Sequence, residues 1–130
     1  MEKNMQYAMM AGLLLLICMF VSCAKCDPTP GVMVESGSHQ YIAFTRGSNC
    51  GPLLSEFDSF VEIEHPYFVG GHRLWTAKKT VAGGKLGLDK LTLKWEGDHR
   101  LLVDCLCERN SLDFALGRWG DVAISYTFLR

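Results

Sequence analysis

A chain of 130 residues has room for one small domain, because two separate hydrophobic cores would each be too small to be stable. The formal net charge of −1 lacks the basic excess that a nucleic-acid-binding surface requires, so we expect no nucleic-acid partner. Six cysteines in so short a chain are typical of an exported protein that contains disulfides.

The first distinctive stretch is an apolar run near the N-terminus that ends in a small residue and a cysteine. Residues 7–21 carry no charge, Lys3 lies in the polar head before them, and Ser22 directly precedes Cys23. This order is typical of a bacterial lipoprotein signal, in which the peptidase needs a small residue before a cysteine that has received a diacylglyceryl group. We therefore predict that residues 1–22 are a signal peptide and that Cys23 is lipidated.

Two other interpretations of this segment stay open. Cleavage after Ala24 would release a soluble exported protein, and retention of residues 7–24 would leave an uncleaved membrane anchor. Lipidation is favoured because Ser22 and Cys23 fit the processing site, and acyl chains such as palmitate would hold the protein in the bacterial cell envelope. Ala24 after the lipidated cysteine resembles the outer-membrane pattern of a host with two membranes.

The stretch after Cys23 is rich in turn-forming residues. Pro28, Pro30 and Gly31 follow one another closely, and proline can occupy neither a helix interior nor a central strand. We predict that residues 23–38 form a lipidated tether and that residues 39–130 form the folded domain.

From Gln40 onward the apolar residues recur with a period of two, which is typical of half-buried β-strands. Residues 91–95 alternate most clearly, and the turn at Gly97 and Asp98 predicts a hairpin with residues 100–107. Helical periodicity is weak, and residues 52–60 are the best short candidate. The sequence therefore predicts an all-β domain, either a single antiparallel β-meander or a small β-sandwich.

The cysteines predict at least one disulfide in the exported domain. Four would remain in the mature chain, namely Cys26, Cys50, Cys105 and Cys107. Cys105 and Cys107 lie two residues apart on one face of a predicted strand, where a direct bond would strain an extended backbone. We therefore favour a bond from Cys50 to one of these two, with free buried thiols as the alternative.

Candidate catalytic and metal-binding residues are few. The chain contains no GxSxG, HExxH or phosphate-binding glycine motif, and its four histidines lack the local partners of a zinc site. No metal and no cofactor are therefore predicted. Glu62 and Glu64 could form a catalytic carboxylate pair, although their alternation with Val61 and Ile63 favours a solvated outer strand face.

The three tryptophans, Trp75, Trp95 and Trp119, could line a sugar or peptide site. Trp95 is in register with the apolar residues of its predicted strand and is assigned to the core. Trp119 follows Gly117 at a predicted turn, so it is the best candidate for an exposed binding aromatic.

A family resemblance is carried by three stretches: YIAFTRGSNCG with the following SEFDSFVEIE, then KLTLKWEGDHRLLVDC, then RWGDVAISY. They resemble a family of small uncharacterised bacterial exported proteins and lipoproteins that contain a domain of unknown function. The final stretch is similar to that family's W-x-x-V-x-I-x-Y pattern at Trp119, Val122, Ile124 and Tyr126. The resemblance covers most of residues 40–126 and implies no activity.

Together these features predict a membrane-anchored lipoprotein with a non-catalytic binding domain. Its partners would be the lipid bilayer, through the anchor, and an envelope protein or glycan, through the loops. The alternative is a small exported enzyme, either a hydrolase that uses Glu62 and Glu64 or a thiol-redox enzyme that uses Cys105 and Cys107. Binding is favoured because no catalytic motif is present and because both cysteines are predicted to point inward, whereas a reactive thiol must be accessible.

Overall fold

The structure is a computed structural model that describes residues 2–22, 26–50 and 56–129. These residues form one helix, nine strands and two short 3-10 turns. The elements are α1 (Glu2–Ser22), β1 (Asp27–Glu35), β2 (Ile42–Cys50), β3 (Glu56–Val69), β4 (His72–Gly84), β5 (Leu91–Glu96), β6 (Arg100–Cys105), β7 (Leu112–Ala115), β8 (Arg118–Trp119) and β9 (Val122–Thr127).

Helix α1 covers the apolar N-terminal segment, in which leucine, methionine and alanine all favour helix. Among the described residues, α1 included, no helical segment combines the length and the hydrophobicity of a membrane span. The predicted lipidation site, Cys23, lies outside the described residues.

The first sheet, sheet A, contains five strands in the order β1-β2-β3-β4-β7, with every neighbouring pair antiparallel. The structure differs here from the predicted tether, because Asp27–Glu35 forms β1 and pairs with β2. Pro28 and Pro30 are tolerated because β1 is an edge strand, where a missing N–H breaks no second ladder. Sheet A therefore begins at Asp27, inside the segment that was predicted to be a tether.

The second sheet, sheet B, contains four strands in the order β5-β6-β9-β8. Strands β5 and β6 form the hairpin that was predicted around Gly97, whose φ of 67° suits the turn. Strand β9 pairs with β6 in parallel, because the chain leaves sheet B after β6 to form β7 in sheet A and then returns. The all-β prediction is confirmed, and two sheets are present rather than one meander.

The two sheets enclose one hydrophobic core. Its apolar residues come from both sheets: Tyr41, Ala43, Val61, Ile63, Val81, Ala82, Leu91, Leu93, Leu101, Val103, Cys105, Cys107, Val122 and Ile124. Each fully buried valine, leucine or isoleucine contributes about 1.5 to 3 kcal/mol. Trp95 lies beside this core and donates its indole N–H to the Val34 carbonyl of sheet A at 3.0 Å. Trp95 is therefore partly buried and packs against the core from the side that its register predicted, without being one of the fully buried residues.

The cysteines bond differently from the favoured pairing. Cys105 and Cys107 form a disulfide with each other, so neither can bond to Cys50. The prediction of that pairing is wrong because it assumed an extended strand through Cys107, whereas β6 ends at Cys105 and the chain then bends. The bend brings the two Cα atoms to 5.0 Å, within the usual range for a disulfide. Cys26 is also disulfide-bonded, and the side chain of Cys50 lies outside the described part.

Strands β3 and β4 are the longest of the described strands, with 14 and 13 residues. The prediction of a helix at residues 52–60 is wrong from Glu56 onward, because Glu56–Val69 forms β3. Residues 51–55 are not among the described residues. Strand β2 pairs with β3 only as far as Glu64, whereas the β3–β4 pairing continues to Val69. The last part of β3 and the first part of β4 therefore extend past their neighbours as a two-stranded ribbon.

Candidate functional site

The best candidate site lies at the end of the sandwich from which the β3–β4 ribbon extends. On β3, Val61 and Ile63 face the core, and the alternation of a strand places His65 and Tyr67 on the same face. Where the ribbon leaves the sandwich, this inward face is no longer covered by apolar residues of sheet B. It carries aromatic side chains there instead.

Four rings from three strands or their ends form a continuous row, which we call the aromatic row: Tyr41, His65, Tyr67 and Trp75. The ring centroids lie 4.5 Å apart from Tyr41 to His65 and 4.4 Å apart from His65 to Tyr67. Tyr67 and Trp75 are opposite each other in the β3–β4 register and stack at 3.9 Å with an angle of 14° between their planes. Cross-strand pairing thus assembles the row from residues that are distant in sequence.

The aromatic row forms one side of an open cleft of about 290 Å³. Tyr41, His65 and Tyr67 line that side, and the turn between β8 and β9 forms the other side with Trp119, Gly120 and Asp121. The turn requires a φ of 56° at Gly120, which a glycine adopts without strain. We call this space the aromatic cleft; both sheets contribute to it.

Burial changes steeply along the aromatic row. Tyr41 is only 5% exposed and stacks on Trp95 of sheet B with centroids 6.0 Å apart, whereas Trp75 is 56% exposed. Burial raises the pKa of the Tyr41 hydroxyl, and the carboxylate of Asp121 raises it further. The Tyr41 phenol therefore stays protonated at the inner end of the cleft, where it can donate a hydrogen bond.

A neighbouring loop contact holds Tyr41 in place. The Tyr41 backbone N–H donates to the Ser36 hydroxyl at 3.0 Å, and the Ser38 backbone N–H donates to the Asp98 carboxylate at 2.8 Å. The hydrogen bonds from Ser38 are the main reason why the pKa of Asp98 is lowered. The β1–β2 loop is thus tied to the turn between β5 and β6, across the two sheets.

The structure corrects the order of exposure that was predicted for the tryptophans. Trp119 is half-buried and packs against the core, while Trp75 is the most exposed of the three. The reason is the pairing of Trp119 with Val122 across the tight β8–β9 turn, which keeps its ring close to sheet B. Trp119 nevertheless lines the aromatic cleft, as a binding aromatic would.

Glu62 and Glu64 do not form a solvated pair. The Glu62 side chain is 3% exposed; it accepts a hydrogen bond from Arg46 Nε at 2.5 Å and another from the Thr80 hydroxyl at 3.1 Å. Lys78 Nζ lies 3.3 Å from Glu62 and 3.6 Å from Glu64. We call these five residues the Glu62 cluster.

The Glu62 cluster is arranged to stabilise charge rather than to transfer protons. Burial alone would raise the pKa of Glu62, but the hydrogen bond and charge of Arg46, together with Lys78 and Thr80, outweigh burial and lower the pKa. Arg46 and Lys78 also lie over the rings of Phe60 and Phe44, at 4.8 and 4.9 Å from the ring centroids. A carboxylate held ionised in this way is a poor general acid.

The Cys105–Cys107 disulfide is similarly enclosed. Cys105 is 3% exposed and Cys107 is 8% exposed, whereas the intervening Leu106 points outward and is 58% exposed. A redox-active pair needs a thiol or sulfur that a partner can reach. The described geometry therefore favours a structural disulfide.

A second cavity of about 410 Å³ lies beside β7 and β9, away from the aromatic cleft. Its main polar groups already serve the fold, because the Tyr126 hydroxyl donates to the Leu116 carbonyl at 2.7 Å and Arg109 stacks on the Phe128 ring at 5.1 Å. Within the described ranges, no three His, Cys, Asp or Glu side chains are close enough together to hold a metal ion.

The aromatic row was not predicted from the sequence, where the four histidines were considered only as possible zinc ligands. Proline is tolerated at position 66 because this part of β3 lies beyond the last residue pair with β2 and has one open edge. Continuing the alternation of Val61 and Ile63 through Pro66 would have placed His65 and Tyr67 on the inner face of the same strand. No sequence pattern would have placed Tyr41 or Asp121 beside them.

Comparison of the chain with protein-family models, with curated proteins and with solved structures finds no significant match.

Proposed function

We propose that this protein is a lipid-anchored bacterial envelope protein whose β domain binds a ligand, without catalysis, in the aromatic cleft. The single observation that carries the proposal is the composition of this cleft. Three aromatic residues, a histidine and a carboxylate face an open space, as in sites that bind a ligand by stacking and a few hydrogen bonds.

The direction of sheet A supports this role. Asp27, at the N-terminal end of β1, pairs with Asn49, whereas Tyr41 lies just beyond the other end of β2. Asn49 lies eight positions after Tyr41 in the sequence, which corresponds to about 26 Å at roughly 3.3 Å per residue. The aromatic cleft and the N-terminal end of the domain are thus at opposite ends of the sheet.

A lipid on Cys23 would orient the domain with respect to the membrane. Cys23 precedes Cys26 by three residues, and so short a segment can span at most about 11 Å. The N-terminal end of sheet A would therefore lie close to the bilayer. The aromatic cleft would then face away from the membrane, toward other components of the envelope.

The catalytic alternatives have less support. The carboxylate of Glu62 is enclosed by two cations, and Cys105 and Cys107 are bonded to each other and buried. Of the residues that line the described cleft, Asp121 is the one carboxylate, whereas most glycoside hydrolases use two carboxylates. A binding role needs only the aromatic rings, the histidine and the carboxylate that line the cleft.

The anchor is tested by growth of the host with radiolabelled palmitate. We expect label in the wild-type protein and none in Cys23→Ala, with the wild type in the membrane fraction. The Cys26→Ala variant is the matched control, because it also removes a nearby cysteine but should keep the label. Equal labelling of Cys23→Ala would contradict the proposed anchor.

The binding role is tested by capture from solubilised envelope with the full-length protein. The double variant Tyr67→Ala/Trp119→Ala should lose the captured component, because both rings line the aromatic cleft. The control is Phe114→Ala, which removes a partly exposed ring beside the second cavity and should capture normally. Equal capture by the double variant and the wild type would contradict a binding role for the cleft.

A further inference from the structure

We propose that the aromatic cleft is a saccharide site, and that its ligand is an uncharged oligosaccharide rather than a single small sugar. This inference rests on the proposed binding role of the cleft and specifies the chemical class of the ligand. Three features of the described residues carry it: the charges around the cleft, the arrangement of the rings, and the exposed continuation of the aromatic row.

The charges of the lining residues disfavour anionic ligands. Asp121 is negative, and no Lys or Arg is among the described residues that line the cleft. A phosphate or a carboxylate would meet the Asp121 charge without a compensating cation. Sugar hydroxyls instead donate hydrogen bonds readily to a carboxylate, and such bonds are about twice as strong as those between neutral groups. The Tyr41 hydroxyl and the His65 ring nitrogens can complete the hydrogen bonding.

The arrangement of the rings disfavours a quaternary ammonium ligand. Sites for such cations surround a point charge with several ring faces, so the faces must converge. In the aromatic row the rings contact one another instead, with centroids 3.9 to 4.5 Å apart and angles of 14° to 40° between neighbouring planes. Neighbouring rings therefore cover one another's faces and do not converge on a point charge, and a row of this shape suits an elongated ligand.

The row continues beyond the cleft onto an exposed ring. Tyr67 covers one side of Trp75 at 3.9 Å, and Trp75 is still 56% exposed, so a large part of its indole remains open to solvent. The C–H groups of a pyranose ring carry partial positive charge and pack on the negative face of an aromatic ring. One sugar unit in the cleft and a second unit on Trp75 would use both surfaces. A monosaccharide would reach only one of them.

Isothermal titration calorimetry of the full-length protein in detergent micelles tests this inference. The probes are tetra-N-acetylchitotetraose, cellotetraose and maltotetraose, each with its monosaccharide, together with choline chloride and sodium phosphate. We expect saturable binding of at least one tetrasaccharide, at least tenfold tighter than binding of its monosaccharide. Binding of none of the tetrasaccharides, or binding of choline or phosphate alone, would overturn the inference.

Variants locate the bound sugar. Trp75→Ala should weaken tetrasaccharide binding about tenfold and Trp75→Phe much less, because phenylalanine keeps an aromatic face. Since Trp75 is exposed, neither change should disturb folding. Asp121→Asn should also weaken binding about tenfold, since a neutral amide is a weaker acceptor. Phe114→Ala should bind as the wild type does, and an equal loss in Phe114→Ala would contradict the site.

The two proposals can fail separately. If no tetrasaccharide binds but Tyr67→Ala/Trp119→Ala still abolishes capture from the envelope, the cleft binds another class of partner and only the saccharide inference is wrong. If tetrasaccharides bind but Cys23→Ala still takes up palmitate, the saccharide inference stands and the proposed anchor is wrong.

Discussion

The two faces of strand β3 carry the two groups of residues that were candidates for a functional site. They differ in how strongly their polar side chains are engaged in contacts within the fold. On the outer face, Glu62 is buried, but Arg46, Lys78 and Thr80 surround it. On the inner face, His65 and Tyr67 line a cleft that is open to solvent. The inner face therefore borders space that a ligand can enter, whereas the Glu62 carboxylate on the outer face is only 3% exposed.

This difference shows why a buried charge is weak evidence for function. Removing a carboxylate from water is costly, and the fold offsets that cost by bringing two cations from neighbouring strands. The resulting pKa shift of Glu62 lies in the direction that favours the ionised form. Among the described residues that line the aromatic cleft there is no Lys or Arg, and the rings stack on one another.

The largest effect that separates the two faces should come from Glu62→Gln. This change removes the charge that Arg46 and Lys78 share, so we expect the free energy of unfolding to fall by about 2 kcal/mol. Ligand binding in the aromatic cleft should stay unchanged. Urea denaturation at pH 7 measures the first effect, and titration with the ligand measures the second.

The matched control is Glu64→Gln, one pleat away on the same face of β3. Glu64 is more exposed than Glu62 and lies 3.6 Å from a half-exposed Lys78, so its loss should cost less than about 1 kcal/mol. Equal losses in the two variants would show that burial of Glu62 does not make its ion pairs stronger than ordinary surface pairs.

The second effect is the acid dependence of stability. Because the folded protein lowers the pKa of Glu62 below its ordinary value of 4.5, the carboxylate stabilises the fold above that value. The contribution should disappear as the pH falls through the lowered pKa. Thermal unfolding between pH 7 and pH 3 should therefore show a shallower acid decline in Glu62→Gln than in the wild type. Parallel curves would contradict the assigned pKa shift.

The third and smallest effect concerns Tyr126, whose hydroxyl forms hydrogen bonds within the fold beside the second cavity. It donates to the Leu116 carbonyl at 2.7 Å and lies 3.3 Å from the Val81 carbonyl. Tyr126→Phe should cost about 1 kcal/mol at pH 7 and leave ligand binding unchanged. A loss of ligand binding in this variant would contradict the separation between the second cavity and the cleft.

Tyr126 also predicts an alkaline loss of stability. Burial raises the pKa of Tyr126 to about 12, above its ordinary value of 10.0. The stabilisation is fully present below pH 10 and is lost as the pH rises from 10 toward 12. Urea denaturation at pH 8 and pH 10.5 should show a smaller difference between the two pH values in Tyr126→Phe than in the wild type.

Local patterns in the sequence were sufficient to predict the all-β class and the β5–β6 hairpin. The alternation of residues 91–95 and the turn at Gly97 specify β5 and β6 because a strand's two faces and a tight turn depend on adjacent residues. Proline was also informative, although Pro28 and Pro30 mark an edge strand rather than a tether. Whether a strand lies at an edge depends on its neighbours in the sheet, which are distant in sequence.

The disulfide also could not be predicted from the local sequence pattern, although its two cysteines are close together in the chain. Cys105 and Cys107 are two residues apart, yet their pairing depends on whether β6 continues past Cys105. The strand ends at Cys105 and residues 106 and 107 form a bend, although the Leu106 backbone N–H still donates to the Lys90 carbonyl at 2.8 Å. The alternation of apolar residues alone predicted a longer strand.

The β class and the β5–β6 hairpin thus follow from the order of residues along the chain, because strand alternation and turn formation are local properties. Folding in three dimensions was needed to bury Glu62, to leave Trp75 exposed and to bring Tyr41 beside Asp121. Each of these outcomes depends on which strands become neighbours and on where one sheet extends past the other. Contacts between residues that are 80 positions apart in the chain arise only when the two sheets pack.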